Sequence, residues 1–151
     1  SIEPDGAVPD APVTPPCTER PTEGVWATFR MPPPNPDFDP VTYFRSLLTS
    51  PAGIASALEF WTHPHPSSIP YGMIICRAPV GWNCGWNWHQ DPATVEIVGV
   101  ATEICDGGPP DSDASCEMGA ASAGGWWCPW AAQLIELRDC RTGPSCPVVP
   151  R

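Results

Sequence analysis

The sequence predicts an α+β fold: an antiparallel sheet of about five strands with one main helix, stabilised by disulfides. Two runs, Val25 to Met31 and Val41 to Leu48, alternate between two faces as half-buried strands do. Ser50-Pro51 then starts a helix, with Ile54, Leu58 and Trp61 on one stripe. The eight cysteines, Cys17, Cys76, Cys84, Cys105, Cys116, Cys128, Cys140 and Cys146, contain no CxxC pair of the kind found in zinc ribbons and redox sites. An even count without that spacing reads as three or four disulfides made in an oxidising compartment, and spacing alone leaves their connectivity open.

Residues 1–23 read as a proline-rich N-terminal arm. Six prolines, scattered acids and few large apolar groups predict polyproline II or disorder. Either Cys17 tethers the arm to the domain or the arm lies on a neighbouring subunit. Residues 24–139 read as the globular α+β domain. Within it, Val25–Met31 and Val41–Leu48 are expected to pair as a hairpin around the proline loop 31–40. The helix is expected to end near Thr62, because His63-Pro64-His65-Pro66 follows. Tyr71–Arg77 and Trp86–His89 read as further strands. Val95–Ile104, β-branched on both faces, reads as the longest and central one. Residues 106–125 read as a long acidic, glycine-rich loop, and 131–138 as a last strand or short helix. Residues 140–151 form a C-terminal tail containing two cysteines.

At 151 residues the chain fits one domain plus a tail, large enough for a real core. Seventeen acids face seven bases, all arginine, and the net charge of −10 argues against nucleic acid and anionic membranes. The complete lack of lysine fits a GC-rich genome. No apolar run approaches the ~20 residues needed to cross a bilayer, so no membrane insertion is expected. The start at Ser1, with no initiator Met or apolar leader, predicts a signal peptide already removed and a secreted, extracellular protein.

Several segments, taken in order, carry a family likeness: Ala27-Thr28-Phe29, Ser50-Pro51-Ala52, Trp86 to Pro92, Glu103 to Asp106 and Trp127 to Trp130. Over residues 25 to 138 the chain resembles a group of small secreted domains found in many bacteria, and at the N-terminus of a slime-mould vegetative-stage protein. Bacterial copies are often labelled calmodulin-related. The resemblance implies that Cys105 pairs with Cys128 and that Trp86, Trp88 and Trp130 belong to the core. The other six cysteines, the arm, Trp26, Trp61, Trp82 and Trp126 depart from the family pattern. So does the loop at 106–125, where the family has a helical acidic stretch.

Eight tryptophans are the most prominent candidate groups. Trp82 and Trp126 sit beside glycines in loops and are the candidates for stacking on sugar rings or anchoring an interface. His63 and His65 have no carboxylate at useful spacing, and no metal site is expected. His89 near Asp91 reads as a structural hydrogen-bonding residue, since no nucleophile motif accompanies it. The acidic loop fails the EF-hand pattern, with Cys116 where Gly belongs and Ser122 where Glu belongs, and reads as solvated. Cys140 to Cys146 forms a compact loop if its ends pair, and would offer Arg141 to a trypsin-like pocket.

The favoured reading is a non-catalytic, secreted protein-interaction module without cofactor. It would be a structural subunit of an extracellular assembly, docked through its arm by self-association or on a protein partner, with edge-strand addition as one route. The alternatives are a serine protease inhibitor acting through 140–146 and a glycan-binding domain taking polysaccharide at Trp82 or Trp126.

Overall fold

The computed structural model describes residues 17–151. Two antiparallel sheets and two helices build an α+β fold. The first sheet orders its strands β2-β1-β7, with β1 at Val25–Met31, β2 at Thr42–Leu48 and β7 at Gln133–Asp139. The second is built on β3 at Ile69–Cys76, which pairs in turn with β5 (Glu96–Val98), β6 (Trp126–Trp127) and β4 (Trp88–Gln90). The strands therefore divide between two sheets, where the sequence suggested one.

The local signals of the first half read true. β1 turns Val25, Ala27 and Phe29 fully inward, and β2 answers with Phe44, Ser46 and Leu48. Helix α1 spans Pro51–Thr62, and the Ser50 side chain accepts the Gly53 N–H at 2.9 Å. Gly53 is required there: a Cβ would stand 2.3 Å from the Val95 carbonyl oxygen, so the helix lies directly on that backbone.

Two expectations need correction. Only Glu96–Val98 of the supposed long strand 95–104 is strand. Val95 is buried and the Ile97 N–H donates to Ser56 Oγ on α1, so helix packing uses these β-branched residues. Residues 106–125 are not all loop either: α2 occupies Asp113–Ser122. Ser112 and Ser115 form a reciprocal cap at its start. The Cys76–Cys116 disulfide and ion pairs from Arg77 to Asp113 and Glu117 fasten it to the end of β3. Arg77 adopts φ +54°, leaving the strand so that its guanidinium meets the helix.

Aromatic rings hold the sheets together. Phe44 stacks on Phe29 at 5.2 Å and meets Trp127 at 5.0 Å and Trp88 at 5.9 Å across the interface. A buried polar link runs beside them. Ser46 Oγ donates to Gln90 Oε1, and Gln90 Nε2 donates to the Pro70 carbonyl at 2.8 Å. The C-terminal segment folds back along β7. Val149 N–H donates to Leu137 O at 2.8 Å, and the Arg151 guanidinium lies 3.8 Å from the Trp61 ring centroid. Because Phe44 is fully buried between the sheets, Phe44→Ala should cost about 3–5 kcal/mol. Denaturant unfolding with the disulfides intact measures it, and a loss below about 1 kcal/mol would show that the rings do not couple the sheets.

Candidate interaction surface

The outward face of the β2-β1-β7 sheet follows from register. Arg45 and Glu136 flank Thr28, while Leu47 and Arg138 flank Trp26. A bulge opposite Thr28 and Phe29 leaves Ile135 without a partner on β1 and exposes it. Cys17 and Arg20 border this face and complete the walls of a groove of about 340 Å³, with Trp26, Arg45, Glu136 and Arg138.

Cys17 is bonded to Cys84, so the root of the N-terminal arm is fixed at the groove wall. Trp26 donates its indole N–H to the Trp82 carbonyl at 3.0 Å, and the Arg45 guanidinium lies 5.9 Å from the Trp26 ring centroid. Arg20 donates to Ser145 O at 2.9 Å. Arg138 forks onto both oxygens of Glu136 at 3.2 and 3.3 Å and also reaches Cys146 O. Burial pushes the Arg45 guanidinium below its usual range; Glu136 opposes the shift and Arg138 adds to it. Three of the seven arginines of an acidic chain thus line one groove.

The edges of this sheet are already engaged. On β2, the Arg45 N–H donates to Asn83 Oδ1 and Trp86 donates to Tyr43 O, both at 2.8 Å. On β7, Ser68 Oγ accepts the Leu134 N–H and Pro147 O accepts the Asp139 N–H. A strand added at either edge of this sheet would have to break these bonds.

The expected contact residues separate widely. Trp82 is no loop platform. At 8% exposure it packs with Trp26, Cys17, Cys140 and Cys146, and meets His89 edge-on at 5.5 Å. Trp126 is half-buried and stacks on Tyr71 at 4.8 Å. Trp130, assigned to the core by resemblance, is 38% exposed and donates its indole N–H to Thr102 O. Cys140 does pair with Cys146, but Arg141 folds back on Asp139, with two side-chain N–H···O bonds of 3.0 Å. Cys105 pairs with Cys128. His63 lies 3.4 Å from Glu59, while His65 stacks on Phe60. Among the described residues no group of three His, Cys, Asp or Glu side chains is placed to hold a metal. None of the three groove arginines stands out in the sequence, because only strand register and the Cys17 bridge bring them together.

The sequence profile of the BP-74 N-terminal domain matches residues 33–141. The chain belongs to the BP-74 N-terminal domain family. The family match begins after β1 and stops short of Cys146, so β1, Cys17 and part of the C-terminal ring lie outside it. A search of curated proteins found no match, and a search of solved structures found none. Among the described residues of this BP-74 family domain, no helix is long and apolar enough to cross a membrane.

The Arg141 clamp yields a direct prediction. Hydrogen bonding from Arg141 holds the Asp139 carboxyl below the usual carboxylate range. Its stabilising contribution is therefore present above the unfolded-state pKa and is lost as pH falls through the folded one. Arg141→Ala should raise the Asp139 midpoint in a carboxyl NMR titration and flatten this acid dependence. An unmoved midpoint would show that the clamp does not persist in solution.

Proposed function

We propose that the chain is a secreted, non-catalytic protein-interaction module, a structural subunit of an extracellular assembly. In it the N-terminal arm of one copy docks in the arginine groove of the next. One observation carries the reading. The groove sets Arg20, Arg45 and Arg138 against the carboxylate of Glu136, a net positive patch at the root of an arm whose residues 1–16 contain Glu3, Asp5 and Asp10 and no arginine. Self-association of a chain with net charge −10 needs such a local reversal of sign, since like-charged surfaces otherwise repel.

The four disulfides support an oxidising, extracellular setting. Proline restricts the arm and lowers the entropy lost when it is laid down as an extended segment. Each solvent-accessible carboxylate–guanidinium pair contributes only about 0–1 kcal/mol. A single arm therefore holds weakly, and the assembly becomes firm where many copies engage together.

Analytical ultracentrifugation of the full chain tests this. The wild type should sediment above monomer mass at low salt and shift towards monomer at about 0.5 M salt. The combined variant Glu3→Gln, Asp5→Asn, Asp10→Asn should remain monomeric, as should Arg20→Gln with Arg138→Gln. A wild type that is monomeric at every concentration, or variants of unchanged mass, would overturn the proposal.

A further inference from the structure

A second cavity, built from other residues, lies between the segment 104–111 and α2. Its volume is about 330 Å³, and Trp126, Asp106, Asp111 and Ser122 supply its chemistry. From this we infer that the cavity binds a neutral sugar unit of a polysaccharide.

The cavity is built in advance of any ligand. Cys105–Cys128 fastens the loop wall and Cys76–Cys116 the helix wall. The loop carbonyls of Gly107 and Pro110 accept the indole N–H groups of Trp127 and Trp88 at 3.1 and 3.0 Å. Asp106 Oδ1 accepts the backbone N–H of Trp130 and that of Gly107, both at 2.8 Å. A ligand therefore loses little to ordering of the protein.

The lining selects the ligand class. Trp126 is backed by Tyr71, stacked at 4.8 Å and 22°, which holds its indole as a fixed plate at the cavity wall. A pyranose offers an apolar C–H face to such a plate. Its hydroxyls donate to carboxylates, and among the described residues Asp106 Oδ2 has no protein donor. Ser122 Oγ gives its proton to Gly119 O at 2.9 Å and keeps its lone pairs for a hydroxyl donor, while Ser115 Oγ is taken up by the cap of α2. No arginine or histidine lines the cavity, and the carboxylates repel an anionic ligand.

A Cβ built on Gly108 or Gly119 meets nothing within 4 Å, although both residues line the cavity. A larger side chain at Gly119 adds bulk at the cavity wall without pressing on the protein, and it also improves the helix.

Titration of the full chain with hexasaccharides of glucose, mannose and N-acetylglucosamine, followed by tryptophan fluorescence and calorimetry, tests the inference. At least one neutral hexasaccharide should bind, and an anionic polyuronate should not. Trp126→Ala and Gly119→Leu should each weaken binding about 10-fold or more, Gly119→Leu with no loss of melting temperature. Arg138→Gln, in the separate groove, should bind sugar as the wild type does. Failure of all three neutral probes, equal binding of the polyuronate, or unchanged binding by both Trp126→Ala and Gly119→Leu would overturn it.

Discussion

The contact of Phe44 with Phe29, Trp88 and Trp127 is the constraint on which the rest of the molecule depends. The second sheet is pieced together from strands of two, three and eight residues, too short to stand without packing on the first. Rings contributed by both sheets fill the space between them, and their edges and faces interlock at about 5 Å. Each indole also carries a polar tip that must find an acceptor. Trp86 reaches Tyr43, Trp88 reaches Pro110 and Trp127 reaches Gly107, so the core extends polar fingers that hold the surrounding backbone in place.

This division of labour explains where the sulfur bridges lie. The aromatic core takes in one of them, since Cys116 is buried in it with Cys76 packed alongside. Cys17–Cys84 and Cys140–Cys146 border the outward face of the first sheet, while Cys76–Cys116 and Cys105–Cys128 border the cavity beside α2. Three of the four bridges join positions outside the strands and α-helices, where few ladder hydrogen bonds hold the chain. Cross-linking such segments removes conformations from the unfolded chain and holds surface side chains in fixed relation. The two surfaces singled out by their chemistry are the two that the bridges stiffen.

How much of this was legible in the sequence depended on the range of the interaction. β1, β2 and α1 are written in local pattern: alternation at 25–31 and 42–48, and a serine cap followed by proline at 50–51. Local pattern misled where a distant partner decided the outcome. Val95 to Ile104 has strand composition, yet only Glu96–Val98 pairs with β3, and α1 takes the Ile97 N–H on the other side. Asp113 to Ser122 has loop composition, yet a cap, a disulfide and Arg77 hold it helical. Trp82 has glycine beside it in the chain and a buried cluster around it in space. The Cys105–Cys128 pairing came from family likeness rather than from spacing. The arginine groove was invisible, because Arg20, Arg45 and Arg138 stand far apart in sequence and meet only across strand register.

The three larger sulfur bridges overlap along the chain: 17 to 84, 76 to 116 and 105 to 128. Every peptide bond between Cys17 and Cys128 is therefore enclosed by at least one of them. A protease that nicks the backbone once anywhere in that span produces two fragments that stay covalently joined and in register. The stretch left unenclosed before the last ring, from Cys128 to Cys140, contains β7, whose ladder with β1 occupies backbone groups that a protease would have to pair with. A molecule wired in this way can be cut and still keep its shape.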